Sequence, residues 1–323
     1  MTPEAYIHSK LESLGKPLGL EKPANDEQLA EVIFKLIMSK KFRKYSVNPE
    51  YIEHIKSAIR TSIKNQEPIN VTFVFGGYKL WRLNEAPEVD WAELFSILYY
   101  ANWARPICEV YKPGLWFDFF SDDVIIPRLN NISDNDTRLY RQSFAKLLKY
   151  VRPYLPANLR MTFNRVRDQY ESQTAFEADL ADQIKSLKQN LPNGLPELTD
   201  ELFATLELNV KLTSSQQTDP LWGEKVQLVH DGYAQVTKRR PYYRTPDKIM
   251  AVTKSIPNSL AVGTTKDSVM KFWIGSGVLR RHGEEYRQLI CSPRQLENLS
   301  FTWHALKVSG LEGKNFSQVR VCE

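Results

Sequence analysis

Cysteine is scarce in this chain. Cys108, Cys291 and Cys322 lie far apart among 323 residues, in no CxxC spacing. That argues against a zinc cluster or a disulfide framework and for free thiols in a reducing compartment. Histidine is almost as sparse. His8, His54, His230, His282 and His304 are scattered, and no HExxH or other spaced metal motif occurs. No metal and no cofactor are expected. No run approaches the roughly 18 apolar residues of a membrane span. The opening MTPEAYIHSKLESLGKP lacks the apolar centre of a secretory signal. The expectation is a cytoplasmic protein with no membrane partner. GxGxxG, a Walker motif and a nucleophile elbow are all missing, as are internal repeats and low-complexity tracts.

What remains is ordinary globular material. Hydrophobic residues make up 42% and charged residues 25%, enough apolar content for a sizeable core at this length. The net charge of +5 is a mild basic bias. It suits an anionic substrate such as a sugar phosphate, and equally weak contact with RNA.

Residues 1–24 read as a polar, proline-containing lead-in. NDEQLAEVIFKLIMSKKFRKY then places Leu29, Val32, Ile33, Leu36 and Ile37 at helical spacing, and NPEYIEHIKSAIRTSIK repeats the device behind Asn48 and Pro49. These make an N-terminal helical pair within 1–68. INVTFVF is short, β-branched and aromatic, a buried strand closed by Gly76-Gly77. Asp90 with Glu93 forms a capping box for the next helix, which Pro106 is expected to kink or end. LWFDFF reads as a strand, SDD as a tight connection and VIIPRL as extended again. SDNDT caps another helix, and NLRMTF is a further strand. Such alternation predicts an α/β, Rossmann-like, mostly parallel sheet flanked by helices. The core covers 69–163 and 255–323, with a charged helical insertion or lid over 164–254. The tail strands SLAVGTT, KFWIGSG, RQLICSP and FTWHALKVSG are expected to complete the sheet begun at Ile69.

Several residues carry chemistry in this layout. Lys79 follows a strand and a Gly-Gly break. Ligands of open α/β sheets settle outside the carboxyl ends of the strands, so a lysine there is a charge for a phosphate or carboxylate, or an acid. The same residues also suit a plain turn with an exposed lysine. Asp118, Asp122 and Asp123 cluster near a strand end, as base or amine anchor or simply as turn formers. Arg165 and Arg167 follow another strand and suit either a phosphate grip or a solvated helix start. Thr264, Thr265, Lys266 and Lys271 suit an anion or a hairpin. VTKRRPYYRTPDK and SKKFRKYS interleave cations with aromatics, as RNA contacts or as basic helix ends.

Several stretches in order resemble one family. FVFGGYKL, PEVDWAELF, CEVYKPG, FFSDDVI, DNDTRLYRQSFAKLL and SIPNSLAVGTTKDSVMKFWIGSGVL are similar, in sequence and spacing, to segments of the isonitrile (isocyanide) synthases of the pyoverdine/dityrosine biosynthesis group. The likeness covers mainly 69–151 and 255–279. The chain departs by losing the family's serine after the loop lysine and by carrying Asp123 in place of a glycine. The resemblance implies a Rossmann-like core and a biosynthetic transferase- or lyase-type enzyme of secondary metabolism. Its substrates would be an amino-acid amine and a phosphorylated, ketose-phosphate-like co-substrate. It implies Lys79 and Asp122 as the catalytic pair, with Tyr78, Ser121, Arg165, Arg167, Thr264 and Lys271 around the substrates. The alternative is an RNA- or tRNA-dependent transferase or binding protein using the basic-aromatic patches.

Overall fold

The computed structural model describes residues 1–42, 46–76, 87–122, 132–165, 170–178, 181, 222–223, 259–262, 269–270 and 275–323. Three helices precede the first strand: α1 (Pro3–Ser13), α2 (Asp26–Ile37) and α3 (Pro49–Asn65). The first corrects the expectation of a polar lead-in. The Thr2 hydroxyl accepts from Ala5 N, Pro3 opens the helix, and Tyr6, Ile7 and Leu11 are buried. So thin an apolar stripe carries little periodic signal, and burial rather than propensity settles the segment. Helices α2 and α3 start behind Asn25 and Asn48, whose side chains accept from Gln28 N and Glu50 N.

The parallel sheet alternates with helices as the sequence predicts. Strand β1 (Ile69–Gly76) leads to α4 (Trp91–Val110), β2 (Leu115–Asp122), α5 (Asp134–Val151) and β3 (Leu159–Arg165); β4 (Leu260–Val262) joins much later in the chain. The order is β3-β2-β1-β4 and every pairing is parallel. Odd-numbered residues of β1, β2 and β3 face one way. Phe73, Phe117 and Phe119 meet Tyr100 of α4, Trp103 of α4 packs on Phe117, and Phe163 stacks on Phe144 of α5. Both crossover helices therefore cover a single aromatic face.

Helix α4 runs through Pro106 to Val110 instead of ending there. Trp103, Ala104, Ile107 and Cys108 are all buried, and this burial offsets the one backbone bond that proline removes. At its far end the Asn158 amide donates to the carbonyls of Cys108, Tyr111 and Lys112. Gly114, at φ +76, lets the chain turn beneath Asn158; a Cβ there meets the Asn158 carbonyl oxygen at 2.0 Å.

The start of α4 is fixed by the expected capping box. Asp90 Oδ1 accepts from Ala92 N at 2.7 Å and Glu93 Oε2 accepts from Asp90 N at 2.7 Å. Buried Glu93 also accepts from the Tyr140 hydroxyl at 2.9 Å, tying α4 to α5. Glu93→Ala should therefore lower stability in urea unfolding by about 2 kcal/mol, since it removes a cap and orphans a buried phenol. Glu93→Gln keeps one carbonyl oxygen for Asp90 N and turns an amide N–H toward the Tyr140 hydroxyl, which can accept it, so it should cost less than half of that.

Among the described residues of the tail, Leu260–Val262 and a bridge from Met270 to Val262 belong to the first sheet, and the later strands do not complete it. Strands β5 (Ser276–His282), β6 (Glu285–Cys291), β7 (Thr302–Ala305) and β8 (Gln318–Cys322) build a second sheet of order β6-β5-β8-β7, with a short helix α6 (Pro293–Glu297) after β6. It is mixed: β5 pairs β8 in parallel, while β5–β6 and β7–β8 are antiparallel. The Gly283 turn joins β5 and β6 as a hairpin, and a hairpin on its own register has no call on the parallel sheet's edge. Of KFWIGSG, Ser276 and Gly277 open β5, and 271–274 lie outside the described residues. Cys291 and Cys322 pack in one apolar cluster of this sheet; these and Cys108 are buried free thiols.

Most of 164–254, together with VIIPRL, lies outside the described residues. The basic-aromatic stretch 236–248 does too, whereas residues 40–42 of the other patch form a 3-10 turn.

Candidate functional site

Register brings the carboxyl ends of the parallel strands together. Gly76 of β1 pairs with Asp122 of β2, and Ser121 of β2 pairs with Arg165 of β3. Val262, the last residue of β4, pairs with Phe73, and Met270 bridges Val262. The strand β2 extends to Asp122, so Ser121 and Asp122 belong to the strand and not to a separate connection. The chain moves outward from β1 to β2 and β3, then returns to β1's other side with β4. The topological switch point thus lies between β1 and β4, and ligands of open α/β sheets bind outside such a point.

Each candidate residue stands close in sequence to one of these ends. Tyr78 follows Gly76 by two residues and Lys79 follows it by three; Arg167 follows Arg165 by two; Thr264 follows Val262 by two; Lys271 follows Met270 directly. Tyr78, Lys79, Arg167, Thr264 and Lys271 lie outside the described residues, and for Ser121, Asp122 and Arg165 the backbone register is what the structure gives.

Asp118 has a role different from the strand-end cluster read in the sequence. It sits in mid-strand, paired with Thr72 and Thr162, and is 3% exposed. Its Oδ1 accepts from Thr162 Oγ1 at 2.6 Å and from Asn164 Nδ2 at 2.8 Å. Trp116 Nε1 donates to the same Thr162 hydroxyl at 2.7 Å, and the Arg160 guanidinium lies 4.3 Å from the Trp116 ring centre. Burial raises the Asp118 pKa above the ordinary carboxylate value, against the lowering pull of Thr162, Asn164 and Arg160. The folded state thus holds that proton more tightly than the unfolded chain. Ionised Asp118 costs stability at neutral pH, and the cost disappears as pH falls through the raised value. Pairwise register was the signal that sequence reading lacked: Thr162 and Asn164 lie more than 40 residues away in the chain.

Other links hold the rim. The Thr72 hydroxyl lies 3.3 Å from the Ser259 hydroxyl and donates to the Leu260 carbonyl at 3.3 Å. The Tyr51 hydroxyl of α3 accepts from Ala261 N at 2.7 Å. His54 contacts the Ser259 carbonyl at 3.2 Å, and burial lowers its pKa. Helix α3 thereby locks β4 against β1. A separate cavity of about 750 Å³ lies along β6, its described lining drawn from α4, β5, β6 and α6, including Tyr99, Gln288 and Leu299. Among the described residues no three His, Cys, Asp or Glu side chains gather as a metal group, and no helix is long and apolar enough to cross a membrane.

The fold defines the class: an α/β protein with a Rossmann-like, four-stranded parallel sheet flanked by helices. No family model matches the sequence, and no curated protein matches it. Among solved structures, the chain is similar to the crystal structure of the PvcA protein from Pseudomonas aeruginosa. The TM-score is 0.59 at 13% identity, covering 91% of this chain and 100% of that one. The likeness is one of fold.

Proposed function

We propose that this protein is an isonitrile-synthase-like biosynthetic enzyme acting on the amine of an amino acid with a phosphorylated ketose as co-substrate. The observation that carries the reading is the convergence of register. The family-like segments FVFGGYKL and FFSDDVI contain the paired residues Gly76 and Asp122 at the ends of β1 and β2, beside the switch point of the sheet. The fold likeness to PvcA, a protein of the pyoverdine and isonitrile-synthase-like family, supports it across nearly the whole chain.

The first chemical step is a condensation. The neutral amine's lone pair attacks the ketose carbonyl carbon; the nitrogen then loses two protons and the carbonyl oxygen leaves as water, giving a C=N bond. That step needs an acid at the departing oxygen and a base or anchor at the amine. Lys79 holds the phosphate or serves as the acid, and Asp122 anchors the ammonium or takes its proton. Tyr78, Ser121, Arg165, Arg167, Thr264 and Lys271 surround the two substrates, the cations on the phosphate side.

The test is direct. Purified protein is incubated with ribulose 5-phosphate and each of the twenty protein amino acids, and the mixtures are analysed by mass spectrometry. Consumption of one amino acid with formation of a carbon-donor adduct or its isonitrile supports the reading. No change in any of the twenty mixtures overturns it.

A further inference from the structure

Strand β6 is an open edge. The second sheet runs β6-β5-β8-β7, so β6 and β7 each have one side without a strand, and β6 is the longer at seven residues against four. Proteins ordinarily shorten, charge or cover such edges, because their free N–H and C=O groups accept another strand. The hairpin register shows which groups are free. His282 and Glu285 close a two-residue turn as a hydrogen-bonded pair, and bonded and non-bonded pairs alternate from there. Leu289 therefore bonds back to Val278, while the backbones of Gln288 and Ile290 point away from β5. The cavity of about 750 Å³ touches both faces of β6, Gln288 and Ile290 on the face that meets α4, Leu289 and Cys291 on the face that packs with Leu299. Since β5 fills the other side of the strand, that hollow passes around the free edge. The Gln288 amide nitrogen is buried there with no hydrogen-bond partner among the described residues.

We propose that this edge docks an extended peptide of alternating apolar and acidic residues, which adds beside β6 as a fifth strand. The two faces set the alternation. On the α4 face the hollow is aromatic and aliphatic, walled by Phe95, Tyr99 and Ile290. On the other face Arg280 enters the lining, directly opposite Arg287. Like charges directly opposite on a sheet repel, and among the described residues neither guanidinium meets a carboxylate. Arg287 bonds instead to His282 Nε2, and Glu323 pairs with Arg281. Successive side chains of a strand point to opposite faces. A peptide that offers apolar groups to α4 thus offers every second side chain to the arginines, where an acid is the complement. Backbone bonds to Gln288 and Ile290 supply affinity, and the alternate side chains supply selectivity. The occupant is a single chain. The edge is recessed between α4 and α6, and a second copy's β6, recessed in the same way, does not reach it. This docking does not depend on the activity proposed above.

The experiment uses the full chain and fluorescence anisotropy of a labelled hexapeptide of alternating valine and glutamate. Alternate residues of a strand direct their N–H groups to opposite edges. Two further peptides are therefore made, one N-methylated at its valines and one at its glutamates. We expect the parent to bind wild type saturably, with a Kd below about 1 mM. One methylated peptide should bind like the parent, because its methyl groups point away from β6. The other should bind at least about tenfold more weakly, because it loses the backbone bonds. Arg280→Glu, an exposed change, should weaken the parent about fivefold and leave an alternating valine–glutamine peptide unaffected. Methylated peptides that bind alike overturn the proposal even if the variant does not fold, and undiminished binding of the parent by Arg280→Glu overturns the acidic occupant. A parent peptide that does not bind also overturns it; a concentration-dependent dimer in light scattering of that sample then assigns the edge to a second copy.

Discussion

Lys79→Ala should abolish product formation, by a factor of about a thousand or more, while the melting temperature moves by about 1 °C or less. The magnitude follows from what the residue is asked to do. A cation aimed at a phosphate or at a departing oxygen in a water-poor crevice supplies charge stabilisation of the kind whose removal costs about 10²–10³ in turnover. An acid lost at the same atom adds about 10²–10⁴. The stability side follows from position. Lys79 comes after Gly76, the last residue of β1, so the strand ladder of Ile69–Gly76 with Leu115–Asp122 does not include it. Substitutions away from cores and caps generally stay within about 0.5 kcal/mol. Lys79→Arg separates the two roles. Arginine keeps the charge but does not give up a proton near neutral pH. If Lys79 holds phosphate, the arginine variant keeps affinity for ribulose 5-phosphate and much of its turnover. If Lys79 is the acid, affinity survives and turnover does not. A fully active Lys79→Ala enzyme would remove the residue from the mechanism altogether.

The elements legible in the sequence were those whose signals are local. Asn48-Pro49, the Asp90–Glu93 box and the β-branched run at 69–75 each fix an element from within a few residues, and all three stand in the structure. The alternation of strand and helix through 165 was readable for the same reason. What was hidden depends on distant partners. Helix α1 rests on the burial of Tyr6, Ile7 and Leu11, and Tyr6 packs edge-on against Tyr286. Strand β8 and its partner β7 pair with each other and, through β5, with a hairpin, so no single stretch announces a second sheet. The candidate site divides in the same way. Its rim was legible because strand ends are marked by glycines and acidic residues. The environment of Asp118 in mid-strand was not, since its partners Thr162 and Asn164 lie on the next strand.

Gly277→Val should be the most damaging single change in β5, because that residue is where the second sheet touches the start of α4. A Cβ at Gly277 meets Trp91 Cβ at 2.4 Å and the backbone nitrogen of Ala92 at 2.7 Å. Neither atom is the end of a flexible side chain, so helix and strand must separate. Trp91 has little freedom to follow. Its Nε1 donates to the Gln318 carbonyl at 2.7 Å, its ring meets Phe316 edge-on at 5.0 Å, and Asp90 and Glu93 pin the turn it begins. Overpacking of this kind costs about 1–3 kcal/mol where side chains can yield and more where backbone must. We expect about 3 kcal/mol for Gly277→Ala and at least about 4 for Gly277→Val, read as a fall in the urea midpoint. Gly283→Ala is the control. Its φ of +62 strains an L-residue, but nothing lies within 4 Å of the added methyl, so the loss should stay near about 1 kcal/mol. If the two alanine variants unfold at the same midpoint, the seat of Trp91 on β5 is not a strong joint. If Gly277→Ala unfolds well before Gly283→Ala, the second sheet is what holds the start of α4 in place.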